Sequence, residues 1–298
     1  MIYIFQYINF LLNNSMKLTI FSIAVIILIT FNVIDFLMQN EYFRNYEQGI
    51  PKLKRLYKDK NIQYVENNKF GKCLIIDNEI QLCTKNEDIY HELIVHLPML
   101  YLNKKVENVL IVGGGDLMTL REVMKYNTIK KVVMLELSPL IVNKSKKYFN
   151  VSEFKNDPRV QIIYGDADIS IDKLLRKKDL FDACIIDTTE DNSNNLVIDK
   201  PPFFKKCLHL LIDDGLLIKN GESFEEIFYN DLNLNVIPYG SYIDYFNTIY
   251  KFNVATKNRD IEKIEVKPEE WKKYNIKTSF FKPEDYQKYL VYNIYKFT

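Results

Sequence analysis

The stretch VLIVGGGDLMTLREV, Val109–Val123, joins an apolar run to three glycines, one acid and a helix-type pattern. A buried strand that enters a glycine-rich turn and then a helix is how many nucleotide-binding units begin. Asp116 is unusual in such a turn, because the backbone N–H groups at a helix start favour anions. The stretch therefore predicts a nucleoside site whose ligand is cationic near Asp116, and it argues against a phosphate-rich dinucleotide.

Apolar runs of the same kind follow this stretch, and helix-length segments separate them. With the first, the runs are NVLIVGG, KVVMLEL, VQIIYGD, DACIIDT and GLLIKNG. Short, nearly continuous apolar strands that alternate with helices are typical of a parallel sheet buried on both faces. Beyond Asn235 the sequence becomes β-rich and aromatic, and a final helix is predicted from about Pro283. The pattern indicates an α/β fold.

The part of the chain before this sheet has a different pattern. Between Ile62 and Thr84 the runs IQYVEN, KCLIID and EIQLCT alternate with turn residues and predict a small antiparallel sheet. The next stretch, NEDIYHELIVHLPMLYL, has the spacing of an amphipathic helix that ends near Pro98. We therefore divide the chain into a hydrophobic segment with a linker (1–45), a small β domain plus helix (46–102) and a Rossmann-like domain (103–298).

The segment KLTIFSIAVIILITFNVIDFLM, Lys17–Met38, has roughly the length needed to cross a bilayer. Basic residues are scarce before it and follow it, which by the positive-inside tendency favours a cytoplasmic location for the rest of the chain. We keep three interpretations open: a membrane anchor, a cleaved signal peptide that starts at Met16, and a buried N-terminal helix.

Composition excludes some classes of partner. The formal net charge is +1, so no basic field is present to attract nucleic acid. The cysteines form no CxxC pair and lie in apolar runs, at Cys73, Cys83, Cys184 and Cys207. This pattern predicts reduced, buried thiols rather than disulfides. No spacing of His and Cys resembles a zinc site, and we predict no bound metal.

An acid stands at or just after the end of each of the first four predicted strands, at Asp116, Glu136, Asp166 and Asp187. The carboxyl ends of parallel strands line one cleft, so these acids are expected to meet there. Glu136 has the position of a ribose-binding acid, although an acid near a helix start also stabilises the helix dipole. Asp166 either contacts an adenine amino group or serves only the turn in GDAD. Asp187, which ends the apolar ACIID, is a candidate general base.

Several ordered motifs resemble those of the polyamine aminopropyltransferases, typified by spermidine synthase. GKCLIIDNEIQLCTKNEDIYHELIVHLPM is similar to the family's strand, LDG-x-IQ turn and YHEM helix. VLIVGGGDLMTLREV resembles its GGGDG loop, and VVMLELSPLIV resembles its ribose-binding strand. GDA (165–167), IIDTTED and DDGLLIKNGES are similar to its adenine, catalytic and fifth-strand motifs, and KKYNIKTSFFKPEDYQKYL to its closing segment. The resemblance runs from near Lys52 to the C-terminus.

The resemblance implies a fold and a reaction. The fold is a Rossmann-like sheet of the class I methyltransferase type with a small N-terminal antiparallel β domain, here preceded by an N-terminal hydrophobic helix. The reaction is transfer of a 3-aminopropyl group from decarboxylated S-adenosylmethionine to putrescine or a related polyamine. The products are spermidine, or a similar amine, and methylthioadenosine. The decarboxylated S-adenosylmethionine is a co-substrate, so no cofactor is expected, and homodimers or homotetramers are implied.

The resemblance also implies site residues. Asp187 would accept a proton from the attacking amine. Nucleoside contacts would come from Gly113, Gly114, Gly115, Glu136, Asp166 and Ala167. Substrate amines would be bound by Asp116, His91, Tyr90, Glu190, Gln81 and Tyr239. Within this set, Asp116 would hold the aminopropyl amine and Glu190 a cationic nitrogen of the polyamine.

The chain departs from the family pattern next to these residues. Leu117 and Met118 follow the loop acid where small residues are usual, Glu190 replaces an aspartate, and Lys60 stands where a glutamine contacts the nucleoside. Two other functions therefore stay open. One is an S-adenosylmethionine-dependent methyltransferase, and the other is a catalytically impaired protein that only binds ligand or acts as a membrane-tethered scaffold.

Overall fold

The computed structural model describes residues 53–102, 104–151, 154, 156–189, 197–221 and 227–291. The chain divides into two compact units, residues 1–54 with 67–69 and residues 55–66 with 70–298. The apolar segment Lys17–Met38 lies outside the described residues, so its three interpretations stay open. Among the described helices, none combines the length and the apolarity that a membrane span requires.

A four-stranded sheet begins the described part of the chain, in the order β1-β2-β3-β4. Its strands are β1 (Lys54–Asp59), β2 (Ile62–Asn67), β3 (Gly71–Ile76) and β4 (Glu79–Cys83). The pair β3 and β4 is antiparallel, and the predicted turn residues between them, Asp77 and Asn78, both have positive φ. Asn and Asp tolerate this conformation better than most residues, which explains the turn. The predicted small antiparallel sheet is confirmed.

The prediction that all four cysteines are reduced is wrong for one pair. Cys73 and Cys83 lie directly opposite each other on β3 and β4 and form a disulfide. Their Cβ atoms meet because residues that face each other across a hairpin project to the same side of the sheet. A rule based on CxxC spacing cannot detect a pair that only strand register brings together. Cys184 and Cys207 are free and buried, as predicted.

A seven-stranded mixed sheet forms the second layer, in the order β10-β11-β9-β8-β5-β6-β7. Its strands are β5 (Asn108–Gly113), β6 (Lys131–Glu136), β7 (Val160–Tyr164), β8 (Phe181–Asp187), β9 (Leu211–Asn220), β10 (Val236–Ile243) and β11 (Thr248–Thr256). The strands β5 to β9 pair in parallel, so the five apolar runs are confirmed as the predicted parallel sheet. The aromatic runs beyond Asn235 form the hairpin β10–β11, which joins β9 antiparallel.

Helices separate the parallel strands, as their spacing predicts. The α-helices are α1 (Glu87–Met99), α2 (Met118–Met124), α3 (Pro139–Tyr148), α4 (Ala167–Lys177), α5 (Pro201–His209) and α6 (Pro268–Lys272). The helix predicted to end near Pro98 ends one residue later. The final predicted helix is a short 3-10 helix, Pro283–Tyr289, rather than an α-helix.

The central strand β5 is buried on both faces, which explains its continuous apolar run. Val109 and Ile111 belong to one hydrophobic cluster, whereas Leu110 and Val112 belong to a second. Because neighbouring residues of a strand point to opposite faces, each cluster receives every second side chain. The sheet therefore separates two hydrophobic clusters, one on each face.

The glutamate that follows His91 on α1 binds the backbone of residues 279–281 and fixes that segment against this helix. Glu92 is 1% exposed and accepts hydrogen bonds from the backbone N–H groups of Ser279, Phe280 and Phe281, at 2.7, 2.8 and 2.8 Å. A buried carboxylate requires such donors, because an unpaired buried charge costs several kcal/mol, on the order of 3 to 5. These bonds hold α1 at a defined position beside the sheet.

Strand order reverses between β5 and β8. From β5 the chain continues to β6 and β7 on one side, and then crosses to β8 on the other side. In open α/β sheets, ligands bind outside the carboxyl ends of the strands at such a switch point. The carboxyl ends here are Gly113 of β5 and Asp187 of β8, which are register partners.

Candidate active site

The glycine loop follows β5 and lies against the end of β8. Gly113 and Gly114 have φ of +82° and +70°, a conformation that disfavours other residues. A Cβ atom at Gly113 would lie 2.1 Å from the backbone oxygen of Asp187. The N–H of Gly114 donates to that same oxygen at 2.8 Å. The loop therefore packs directly against the backbone of Asp187, the predicted catalytic residue.

Leu117 and Met118, the two residues after the loop acid, pack into the hydrophobic core. Their exposures are 1% and 2%. Leu117 has a φ of +73° and lines a cavity of about 220 Å³ with residues of β7. This backbone conformation costs a non-glycine residue roughly 1–2 kcal/mol, which burial of the leucine side chain offsets.

Asp116 and His91 face each other at the mouth of the loop. The Nε2 atom of His91 lies 3.6 Å from Oδ1 of Asp116, and that oxygen also accepts the N–H of Met118 at 2.7 Å. Oδ2 of Asp116 has no partner within the described residues. The Asp116 side chain keeps 17% exposure, whereas that of His91 keeps 2%. One oxygen of Asp116 is therefore held by the protein, and the other is available to a ligand.

Asp187 lies beside this pair and is held by two hydroxyl groups. Tyr90 donates to its Oδ1 at 2.6 Å, and Thr119 donates to its Oδ2 at 2.6 Å. Tyr90 comes from α1 and Thr119 from α2, so two helices orient the carboxylate. Burial, and next the charge of Asp187, raise the pKa of Tyr90 well above its usual value, so Tyr90 stays a donor.

Ligand atoms of His91, Asp116 and Asp187 lie within 4.8 Å of one another. These distances do not test the prediction that the chain binds no metal. Burial lowers the pKa of His91, but the hydrogen bond to Glu87 and the carboxylates of Asp116, Glu87 and Asp187 together raise it to about 9. A protonated imidazole is no metal ligand. One cationic imidazole and two carboxylates make a cluster that suits an ammonium group.

Glu136, at the end of β6, reaches the glycine loop. A Cβ atom at Gly115 would lie 2.9 Å from the carboxyl group of Glu136, so a larger residue at 115 would displace that carboxyl group. Glu136 accepts the N–H of Ser138 at 2.7 Å through Oε1. Burial, with smaller contributions from Asp116 and Asp187, raises the pKa of Glu136 to about 7. The structure thus brings Glu136 together with the predicted glycines.

Asp166 and Ala167 begin α4 at the end of β7. Asp166 is exposed and caps the helix by accepting the N–H of Asp168 at 2.8 Å. This is the local role that the turn alone predicts, and an adenine contact stays a prediction. Gln81 is half-buried on β4, where its amide donates to the backbone oxygen of Glu79 at 3.3 Å. Glu190 lies outside the described residues.

Two buried tyrosines near β10 differ in their surroundings. Tyr239 stacks on Phe252 at 5.4 Å, and burial, followed by Tyr101, raises its pKa. For Tyr245, burial and then the four acids Glu87, Asp116, Asp187 and Asp88 raise the pKa. Neither hydroxyl has a hydrogen-bond partner among the described residues. The structure thus places Tyr245, rather than Tyr239, in the field of the acidic residues.

Aromatic rings from the β10–β11 hairpin pack against Tyr90, which binds Asp187. Tyr90 lies 5.1 Å from Tyr250 and 4.9 Å from Phe252, and Phe246 stacks on Tyr250 at 4.9 Å. Aromatic faces attract organic cations. The combination of carboxylates and rings therefore favours an alkylamine next to Asp187.

Sequence reasoning missed several residues of this site, namely Glu87, Thr119, Arg121, Tyr245, Phe246 and Tyr250. Thr119 and Arg121 lie in the opening stretch, but their helical spacing from Asp116 gives no sign of their partners. The aromatic residues belong to SYIDYFNTIYKF, whose pattern indicates a β-rich, aromatic run but does not by itself assign it to the site. An unusual density of tyrosine and phenylalanine beside an acidic cleft is the signal that was available.

The sequence model described as the spermine/spermidine synthase domain matches residues 87–248. The chain is 34% identical to a polyamine aminopropyltransferase of Hydrogenobaculum sp. (strain Y04AAS1), over 81% of this chain and 91% of the relative. It is 30% identical to a polyamine aminopropyltransferase of Thermoanaerobacter sp. (strain X514), over 75% of this chain and 82% of the relative.

Solved structures give the same result. A crystal structure of spermidine synthase in complex with the transition state analogue AdoDATO matches with a TM-score of 0.70 and 25% identity. That match covers 80% of this chain and 85% of the other. Spermidine synthase from Thermotoga maritima matches with a TM-score of 0.67 and 25% identity, over 80% and 84% of the two chains. The sequence and structure matches agree, and the chain belongs to the spermine/spermidine synthase family.

Proposed function

We propose that the protein is a polyamine aminopropyltransferase. It transfers a 3-aminopropyl group from decarboxylated S-adenosylmethionine to putrescine or a related polyamine, and it releases spermidine, or a similar amine, with methylthioadenosine. The observation that carries this proposal is the free Oδ2 of Asp116 beside the hydroxyl-bound carboxylate of Asp187. The relatives' names and the match to a spermidine synthase complex support it.

The nucleoside of the donor is proposed to lie over the glycine loop. Gly113, Gly114 and Gly115 allow a close approach to the backbone, and Glu136 accepts hydrogen bonds from the ribose hydroxyl groups. Asp166 and Ala167 contact the adenine. Ribose recognition by an acid at the end of the second strand is common in folds of this kind. The strand order, with one antiparallel strand next to the edge strand, supports a sheet of the class I methyltransferase type.

The donor's tail and the acceptor are proposed to meet between the acids. Asp116 binds the primary ammonium of the aminopropyl group. Tyr90 and His91 line the polyamine channel, with Gln81 and Glu190 as further predicted contacts. We propose Tyr245 as a further tyrosine of this channel beside the predicted Tyr239, because its ring lies 4.6 Å from that of Phe246, which contacts Tyr90, and because the acids raise its pKa.

The reaction requires a neutral nucleophile. Polyamine nitrogens are protonated at neutral pH, so Asp187 accepts one proton and frees the lone pair. The nitrogen attacks the methylene carbon next to sulfur, the carbon–sulfur bond breaks, and its electron pair neutralises the sulfonium. The bonds from Tyr90 and Thr119 keep Asp187 in place for this transfer. The leaving group is part of the co-substrate, so the proposed chemistry uses no cofactor.

Asp116 also discriminates between donors. Intact S-adenosylmethionine carries a carboxylate at the carbon that bears its amine, and a carboxylate near Asp116 is repelled. The decarboxylated form presents only the cation. This difference disfavours the methyltransferase alternative.

The assay uses the full chain with decarboxylated S-adenosylmethionine and putrescine, with a panel of other polyamines as alternative acceptors. We expect methylthioadenosine and an aminopropylated amine in equal amounts, and no product from intact S-adenosylmethionine. Binding of the nucleoside by calorimetry without product from any amine overturns the proposal and favours the ligand-binding alternative. Methylated product from intact S-adenosylmethionine favours the methyltransferase.

Two further expectations remain proposals. The family resemblance suggests a homodimer or homotetramer, and the basic residues after Lys17–Met38 suggest a cytoplasmic catalytic part with a membrane tether through that segment.

A further inference from the structure

A second layer of charged residues lies behind Asp116 and His91. Arg121 of α2 binds Glu87 of α1 through two hydrogen bonds, with its Nη1 2.7 Å from Oε1 and its Nη2 3.0 Å from Oε2. Oε2 of Glu87 in turn lies 2.8 Å from Nδ1 of His91. A chain of alternating charges therefore leads from Arg121 through Glu87 and His91 to Asp116.

The two ring nitrogens of His91 both face acceptors. Nδ1 faces the backbone oxygen and the carboxylate of Glu87, each at 2.8 Å, and Nε2 faces Asp116 at 3.6 Å. A neutral imidazole donates from one nitrogen only, whereas the charged form donates from both. Nε2 is too far from Asp116 for a hydrogen bond, so the attraction there is between charges, and the geometry favours a charged His91.

The charged groups around His91 come from three elements. Glu87 lies on α1, Asp116 lies in the loop before α2, and Asp187 ends β8. Arg121 of α2 reaches the imidazole only through Glu87. Arg121 thus pairs with Glu87 and orients that carboxylate, and it does not itself lie against His91.

The charge of His91 matters because Asp116 is nearly enclosed. Burial raises the pKa of Asp116 to about 6, with His91 opposing the rise and Asp187 adding to it. Removal of the imidazolium charge would raise the pKa of Asp116 further. A protonated Asp116 no longer attracts an ammonium group.

We propose that Glu87 and Arg121 are positioning residues that hold His91 as an imidazolium against Oδ1 of Asp116, so that Oδ2 meets the ligand's ammonium as a carboxylate. This inference rests on the proposed function, because it assumes that Asp116 binds the aminopropyl amine. It adds two residues that touch no substrate, and it predicts their effect on donor binding.

The test compares Glu87→Gln with Glu122→Gln. Glu122 is the matched control, because it is a buried glutamate that also joins Arg121 and a histidine of α1, His96, away from Asp116. The KM for decarboxylated S-adenosylmethionine and kcat are measured between pH 6 and 9.

In Glu87→Gln, His91 loses its charge and the pKa of Asp116 rises. One unit of rise lowers the ionised fraction at acidic pH by up to about tenfold. We therefore expect the donor KM to increase by up to about tenfold near pH 6 and to return towards the wild-type value at pH 9. A smaller effect is expected on kcat. Glu87→Asp, which keeps the charge, should restore much of the wild-type profile, and Glu122→Gln should leave the profile unchanged.

An NMR titration of the histidines tests the inference without activity. In the wild-type protein, His91 should remain charged beyond pH 8, and in Glu87→Gln it should titrate at lower pH. A wild-type His91 that is neutral at pH 7 overturns the inference, even if the variants fail to fold. An active wild type with the same KM profile in Glu87→Gln also overturns it. A wild type that forms no methylthioadenosine overturns the proposed function instead, and the titration then still tests the charge of His91.

Discussion

Two buried histidines on α1, five residues apart, have pKa values shifted in opposite directions. His91 has a pKa raised to about 9, although burial alone would lower it. His96 has a lowered pKa, because burial outweighs the hydrogen bond to Glu122, and Lys125 lowers it further. Both side chains are at most 2% exposed. Burial is therefore not what separates them, and each ring also has a glutamate partner. The difference lies in the nearby charges, because Asp116 and Asp187 raise the pKa of His91 whereas Lys125 lowers that of His96.

The hydrogen bonds around His96 are all satisfied when its imidazole ring is neutral. Trp271 donates to the hydroxyl oxygen of Tyr126 at 2.8 Å, and that hydroxyl lies 3.0 Å from Nδ1 of His96. Nε2 lies 2.9 Å from Glu122, which also binds Arg121 and Lys125. With Tyr126 donating to Nδ1 and Nε2 donating to Glu122, each group in this set has a partner.

We call His96, Glu122, Lys125, Tyr126 and Trp271 the interior cluster. We call Tyr90, His91, Asp116, Thr119 and Asp187 the cleft cluster. The interior cluster leaves no charge uncompensated, whereas the cleft cluster keeps a free carboxylate oxygen at Asp116. Buried polar networks that are fully paired specify structure. A cluster that keeps an unpaired oxygen at an opening is suited to bind a ligand. The comparison teaches that one pair of helices, α1 and α2, supports both.

The largest expected effect is that of Asp187→Asn in the cleft cluster. Loss of a positioned general base lowers kcat by about 10²–10⁴-fold. Stability should fall by about 1–3 kcal/mol, because the amide oxygen accepts only one of the two hydroxyl hydrogen bonds and the other hydroxyl loses its partner. Methylthioadenosine formation measures the rate, and thermal unfolding measures stability.

Asp182→Asn is the matched control for that variant. Asp182 is 2% exposed at the opposite end of the same strand, where it accepts the N–H groups of Glu107 and Asn108. We expect Asp182→Asn to lower stability and to leave kcat unchanged. An unchanged rate in Asp187→Asn would remove Asp187 as the base.

A smaller effect of the opposite kind is expected for Tyr126→Phe in the interior cluster. The substitution leaves the Trp271 N–H and Nδ1 of His96 without their partner. A buried polar group without a partner costs about 1–3 kcal/mol. Chemical denaturation should show this loss in the free energy of unfolding, while kcat and KM stay at wild-type values. A kinetic defect in folded Tyr126→Phe would show that the two clusters are not independent.

The smallest expected effect is a difference in the pH dependence of stability. The pKa of His91 is raised from 6.5 to about 9 on folding, so its contribution is complete below pH 6.5 and is lost as pH rises to 9. The pKa of His96 is lowered, so its contribution is complete above pH 6.5 and is lost as pH falls.

Unfolding curves of wild type and His91→Gln between pH 5 and 9.5 check this sign. The variant should lose less stability than the wild type on the alkaline side, and the acid side should be unchanged. A steeper alkaline decline in His91→Gln would contradict the assignment of a charged His91.

Much of the fold could be predicted because local patterns decide it. The five parallel strands follow from continuous apolar runs, since a strand buried on both faces has no polar face. The grouping of the acids could also be predicted, because each acid follows a parallel strand and parallel strands end at one edge of the sheet. The 3-10 geometry of Pro283–Tyr289 could not be predicted, because a short helix near the C-terminus depends on its packing.

The Cys73–Cys83 disulfide could not be predicted either, because it also depends on tertiary structure. Two cysteines ten residues apart become neighbours only when β3 and β4 take one register, and a shift by one residue would point them to opposite faces. Sequence spacing contains no information about that register.

The sequence by itself determined the parallel sheet, the glycine loop and the acids that follow its strands. Periodicity and turn chemistry act between neighbours in the chain, so one sequence is enough to reveal them. Only the tertiary structure decided that the pKa of His91 is raised and that of His96 lowered, that the acids raise the pKa of Tyr245, and that Arg121 and Glu87 lie behind Asp116. These properties depend on contacts between distant parts of the chain, such as that of Glu87 with Arg121, 34 residues apart. Electrostatic energy depends on distance in space rather than on separation in sequence.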